Sequence, residues 1–289
     1  MNVSHVSRRG QAALCCRRLT ICVGLMVLMY FAGHAPAASP AASAPATTQP
    51  ESMREALTLD LGGGVCLPLV RVPAGEFKLG SPPRLAASQP NEGPQRLATI
   101  SSAFYMSVTE VTQAQYRQVM GRKQDRAIAN HPAYHVSWTD AQEFCRRLSE
   151  SSGRAVRLPT EVQWEYACRA GSTTSFSFGD DEAMLDDYGW HRGNSGPEPH
   201  PVGAKKPNAW GLYDMHGNVY EWCRSIYRKD YSDLSAPEHA EVEAWRRLRV
   251  LRGGSCIHEA KNCRSAKRAS GIEYGASKWI GFRVVVELE

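Results

Sequence analysis

The 289-residue sequence has no strict Gly-x-Gly-x-x-Gly run and no Walker loop, so no backbone cradle for nucleotide phosphates is expected. It has no internal repeat, which sets aside solenoid and propeller folds. Surplus charge is scarce in the body of the chain. The formal +5 comes from 34 basic and 29 acidic residues, but Arg8, Arg9, Arg17 and Arg18 precede the first acidic residue, and 34 less these four leaves 30 against 29. A body so nearly neutral offers no basic face to nucleic acid. Long apolar runs are also missing. Leu19 to Gly33 is uncharged but falls short of the about 20 apolar residues that a membrane span requires.

That run reads as the core of an export signal. Arg17 and Arg18 precede it, and Ala35-Pro36-Ala37 follows with the small-x-small pattern of a signal-peptidase site. The expected arrangement is a signal peptide over residues 1–37, a flexible Ala-, Pro-, Ser- and Thr-rich linker over 38–56, and one folded domain over 57–289. The product is then exported, either periplasmic or secreted. If the signal is not cleaved, the same segment is a signal anchor, and only then is a membrane involved. Ser7-Arg8-Arg9 matches a twin-arginine signal weakly, and no cysteine stands at a lipobox position.

In the body, Glu51 to Leu61 reads as a short helix that the Gly62-Gly63-Gly64 run breaks. Leu69 to Val72 and Phe77 to Leu79 read as strands around the Pro73-Ala74-Gly75 turn, and Leu97 to Thr109 as one further strand. Three capping boxes then announce helices: Thr112 with Gln115, Ser137 with Asp140, and Thr160 with Gln163. Gly121, Gly153 and Gly171 are their expected stops. Ser172 to Lys206 has no periodicity, and its Asp180, Asp181, Asp186 and Asp187 read as a solvated acidic loop. Ala236 to Arg247 reads as a charged helical insertion, and Arg249 to Arg252 and Ile280 to Val286 as closing strands. His131 and His135 are separated by Pro132 and read as turn and packing residues. The class is α+β: irregular, loop-rich and built over a small core.

The chain is organised around Pro207 to Cys223, where Trp210, Tyr213, Tyr220 and Trp222 share seventeen residues with two glycines and two asparagines. Asp214, Asn218 and Glu221 put hard oxygens beside a Gly217-Asn218 turn, the kind of set from which calcium sites are made, although the same groups also serve simply to bond the turn.

The motif Gly211-Leu-Tyr-Asp-Met-His-Gly-Asn-Val-Tyr-Glu-Trp222 resembles the signature of the formylglycine-generating enzymes, or sulfatase-modifying factors. Val72 to Phe77, Arg157 to Arg169, Arg252-Gly-Gly-Ser255, Cys263-Arg-Ser-Ala266 and Gly281-Phe-Arg283 match the same family in the same order. The resemblance implies an α+β formylglycine-generating-enzyme fold related to the C-type lectin fold. It implies a calcium site with side-chain ligands Asp214 and Glu221 and main-chain ligands Gly217 and Val219. It also implies a disulfide from Cys168 to Cys263, with Cys145 left as a free core cysteine. Enzymes of the family oxidise a sulfatase cysteine to an aldehyde with oxygen and resemble copper proteins in which two cysteines hold Cu(I). Counted from Ser255, the two copper-cysteine positions are His258 and Cys263, and an extra Cys256 follows the serine. Candidate catalytic residues are therefore Cys263, Cys256, His258 and Ser255, the last two also forming a Ser-His pair without the third group of a triad. Two functions follow. One is a calcium-stabilised binding or scaffold module with a protein or carbohydrate ligand. The other is a copper-dependent oxidase acting on a sulfatase.

Overall fold

The computed structural model describes residues 56–83, 85, 87–123, 126–232 and 248–288. The chain divides into two units, Met1–Thr48 and Gln49–Glu289, and all described residues belong to the second. The signal peptide, the linker up to residue 55 and the helix expected from Ala236 to Arg247 lie outside the described residues.

The first described element corrects the sequence reading. Ala56–Asp60 is a strand (β1), not the end of a helix, and it pairs antiparallel with β2 (Cys66–Val72), Leu57 opposite Leu69 and Leu59 opposite Leu67. The pattern Ala-Leu-Thr-Leu-Asp alternates with period two, which a helix would not use. Strand β2 continues into a five-stranded sheet of order β1-β2-β5-β11-β6, with β5 (Phe104–Ser107), β6 (Val156–Arg157) and β11 (Val285–Glu287). A second sheet has the order β10-β7-β8-β9, with β7 (Tyr220–Ile226), β8 (Leu248–Arg252), β9 (Ala269–Ile272) and β10 (Ile280–Gly281). A separate hairpin joins β3 (Gly75–Leu79) to β4 (Arg96–Ile100).

Two stretches expected as single strands each serve two sheets. Leu97 to Thr109 is β4 in the hairpin and then β5 in the large sheet, with Ser101-Ser102-Ala103 between them. Ile280 to Val286 is β10, parallel to β7, and then β11, antiparallel to β5. The crossing segment carries Phe282 and Arg283 into the space between the sheets, where both are fully buried.

All three capping boxes form. They start α1 (Gln113–Met120), α2 (Trp138–Ser152) and α3 (Glu161–Arg169). Gly121 and Gly153 close the first two helices in the left-handed region. Helix α3 ends one residue earlier than expected, because Ala170 itself takes φ 47° and Gly171 follows at φ 90°. The long loop keeps its four aspartates exposed and gains one short helix, α4 (Leu185–Tyr188).

The apolar core lies in two large clusters and a small third one of Phe176, Leu185 and Cys263. One packs Leu67, Leu69, Tyr116, Phe144, Leu148 and Phe282 together, with the Phe144 ring 5.2 Å from that of Phe282. The other gathers Val72, Phe104, Trp164, Leu212, Met215 and Val250 around α3. Each such side chain gains about 1.5–3 kcal/mol on burial. Between these clusters run buried ion pairs that no apolar period announces. Arg252 meets Glu165, Arg264 meets Glu92 at 2.7 Å, Arg268 meets Glu161 at 2.6 Å, and Arg283 meets Glu221 at 2.6 Å.

Candidate functional site

The turn before β7 is built by backbone that few residues tolerate. Asp214 and Asn218 sit in the left-handed region at φ 58° and 57°, and Gly217 at φ 109°. A Cβ on Gly217 would stand 2.1 Å from the Trp190 carbonyl oxygen, so only glycine lets the turn close against that loop.

The turn delivers buried carboxylates to one place. Asn218 Nδ2 donates to Glu110 Oε2 at 2.9 Å, and the Val219 amide donates to Glu110 Oε1 at 3.2 Å. Glu221 Oε2 accepts from Trp164 Nε1 at 2.7 Å and from Arg283 Nε at 2.6 Å, while its Oε1 accepts from Arg283 Nη2 at 2.7 Å. Asp214 Oδ2 accepts from the Gly203 amide at 2.7 Å, but its buried Oδ1 has no hydrogen-bond partner among the described residues. Three carboxylates thus face one guanidinium. Burial raises Glu110 well above the ordinary carboxyl range, and Asp214 and Glu221 push it further. Burial likewise lifts Asp214 to about 6.

Of the expected calcium ligands, then, Asp214 keeps an open oxygen and Glu221 is given to Arg283 and Trp164. Glu110, which no sequence motif singles out between β5 and α1, joins them as a third buried acid, its two oxygens taken by Asn218 Nδ2 and the Val219 amide. No three His, Cys, Asp or Glu side chains among the described residues are grouped as a ready metal site. Asp214 Oδ1 is the one oxygen of these three carboxylates left without a hydrogen-bond partner among the described residues.

The second cluster follows Ser255. Its Oγ lies 2.7 Å from His258 Nδ1, and the His258 ring stands edge-on to Tyr220 at 5.0 Å. Burial and the nearby Lys267 ammonium lower the His258 pKa. Cys263 is fully buried. Burial pushes its thiol to about 12, against the pull of a hydrogen bond from the Ser255 backbone, and Cys256 beside it is held at about 11.

The expected Cys168–Cys263 disulfide is not formed: all six described cysteines are free, Cys145 among them as expected. Cys263 ends a short turn, Ala260–Asn262. The Cys168 thiol lies 3.8 Å from the Met215 carbonyl and from His216 Nε2, and His216 stands between the two cysteines, its Nδ1 2.8 Å from the Cys263 carbonyl. The Ser177 amide donates to His216 Nε2 at 3.2 Å, so the ring is neutral with its proton on Nδ1. Burial holds it there, lowering its pKa to about 4.

Comparison with known proteins agrees with this architecture. The model of the sulfatase-modifying factor enzyme 1-like domain matches residues 66–288. A formylglycine-generating enzyme of Streptomyces coelicolor is 34% identical over 189 residues, 59% of this chain and 57% of that protein. An inactive C-alpha-formylglycine-generating enzyme 2 of Bos taurus is 26% identical, over 78% of this chain and 90% of that one. The structure of PvdO from Pseudomonas aeruginosa superposes with a TM-score of 0.70 at 31% identity, covering 80% of this chain and 98% of that one. The chain spans 57%, 37% and 45% of the length of three curated relatives it matches. It belongs to the sulfatase-modifying factor enzyme 1-like domain family.

Proposed function

We propose that this chain is an exported, calcium-stabilised binding or scaffold module on the family's fold, taking a protein or carbohydrate ligand. The observation that carries the reading is His258, which holds one of the two copper-cysteine positions and is bonded to Ser255. A site for Cu(I) wants two convergent soft thiolates. Here one of the two positions is His258, whose Nδ1 is engaged by the Ser255 hydroxyl, which leaves Cys263 as the one thiol of the pair. The residues present do not fit the two-cysteine copper centre.

Calcium rests on different support. The open, desolvated Asp214 Oδ1 and the raised Glu110 and Asp214 want positive charge, and the carbonyls of Gly217 and Val219 lie on the same turn. A cation there would offset the repulsion and fix the loop. Calcium at about 100 times its Kd should add about 2.7 kcal/mol to stability. Asp214→Asn should remove most of that gain, and a melting temperature unmoved by millimolar calcium would sink the site.

The alternative is a copper- and oxygen-dependent oxidase acting on a sulfatase. It is favoured by the proximity of Cys256 to Cys263. One assay separates the two. The purified protein is given copper, oxygen and a Cys-x-Pro-x-Arg peptide, and aldehyde is sought by mass spectrometry. No conversion by folded, calcium-responsive protein is expected. Conversion that Cys263→Ser abolishes would establish the oxidase instead. Export is tested by the mature N-terminus, expected just after Ala37.

A further inference from the structure

Away from both clusters, a cavity of about 440 Å³ opens between the β3–β4 hairpin, α3 and the loop that carries Trp210. That size is within the range of small-ligand sites. Its apolar wall is a row of three aromatic rings. Phe77 lies 5.2 Å from Tyr166 at an interplanar angle of 48°, and Tyr166 lies 4.8 Å from Trp210 at 67°. Rings tilted in this way offer both faces and edges to a ligand.

The wall is formed in advance. Asn208 Oδ1 accepts from the Trp210 and Leu212 amides at 3.0 and 3.1 Å. Its Nδ2 donates to the Ala167 and Cys168 carbonyls at 2.7 and 3.1 Å, which ties the Trp210 loop to the end of α3. On the other side the hairpin passes Tyr166 without a side chain, since a Cβ at Gly75 would stand 2.5 Å from the phenol oxygen.

The polar groups are what select a ligand. The Tyr166 hydroxyl and the Trp210 indole N–H have no partner among the described residues. Lys78 is exposed at the rim. Gln95 Nε2 donates to the Gly80 carbonyl at 3.2 Å, which leaves its amide oxygen to accept. A wholly apolar ligand would bury these groups unpaired, at a cost for each. A phosphate fits no better. Arg169 is already given to Glu165 and to the Thr174 and Gly80 carbonyls, and the Glu76 carboxylate stands at the rim.

We propose that this cavity binds a pyranose ring of a glycan. A pyranose has a C–H face for Trp210 and Phe77. Its oxygens can take the Tyr166, Trp210 and Lys78 donors, and its hydroxyl protons can go to Gln95 Oε1. The assignment deepens the reading of the chain as a binding module and rests on it. The site uses neither Cys263 nor the acidic turn, so its failure is told apart from failure of the copper or calcium tests.

The experiment is saturation-transfer NMR on the full chain with glucose, galactose, mannose, N-acetylglucosamine and glucuronate, each up to about 100 mM, since single sugar rings bind weakly. At least one sugar should receive saturation and quench tryptophan fluorescence. Trp210→Ala should weaken it by about fivefold or more, as loss of a stacking aromatic does. Gln95→Ala should also weaken binding, with the circular dichroism unchanged. If Trp210→Ala fails to fold, Lys78→Ala at its exposed strand position carries the test. No transfer to any of the five sugars, or transfer that Gln95→Ala and Lys78→Ala leave unchanged, overturns the proposal.

Discussion

Replacing Arg283 with methionine tests the electrostatic account of the turn most directly. The guanidinium makes two bonds to Glu221 and donates to the Ser107 and Tyr213 carbonyls at 3.2 and 2.9 Å, all in a fully buried setting. Methionine fills most of the volume but leaves Glu221 facing Glu110 and Asp214 without that counter-ion. Removing one partner of a buried pair costs about 3–5 kcal/mol. For a domain of this size each kcal/mol moves the melting temperature by about 2–4 °C, so a fall of about 6–20 °C is expected. Urea unfolding followed by tryptophan fluorescence, with a chelator present, measures it. Glu221→Gln in the same background should recover part of the loss by removing one of the three acids. A cost below about 1 kcal/mol, the worth of an exposed pair, would refute the idea that Arg283 is what makes three buried carboxylates tolerable.

His216 supplies a pH dependence. Its folded pKa of about 4 lies below the ordinary 6.5, so between these values the unfolded chain binds more protons and stability falls as the pH drops. The difference is worth about 3 kcal/mol in all, present above pH 6.5 and lost by pH 4, and His216→Gln should flatten that part of the pH profile of urea midpoints. Unreduced wild-type protein should titrate all six cysteines of the body with Ellman's reagent after unfolding, whereas a Cys168–Cys263 disulfide would leave four. Gly254→Ala should destabilise the Cys263 turn by about 1–3 kcal/mol, since φ is 78° and the new Cβ would stand 2.7 Å from both Asn262 O and Cys263 Sγ.

Much of the fold is legible in short stretches of sequence. The three capping boxes locate α1 to α3, because a cap is a contract between residues three apart and needs nothing distant. The Asp214 to Glu221 turn is legible for the same reason: Gly217-Asn218 encodes its own left-handed backbone. Strand β1 is not, because a five-residue alternating run is ambiguous until its partner is known, and here that partner is Leu67 and Leu69 of β2. The two divided strands are hidden likewise, since β propensity does not say which sheet a residue joins.

The site divides along the same line. The linear order of residues specifies the turn, the candidate oxygens, the histidine at a copper-cysteine position (His258) and the six cysteines of the body. Which groups meet is settled by packing. Packing assigns Glu221 to Arg283, 62 residues away, and brings in Glu110 from 108 residues before Asn218. It also sets His216 rather than the Cys263 thiol against Cys168. Local pattern fixes backbone conformation within a few residues. Partners for buried charge and sulfur are chosen by desolvation, which acts only once distant segments have packed together.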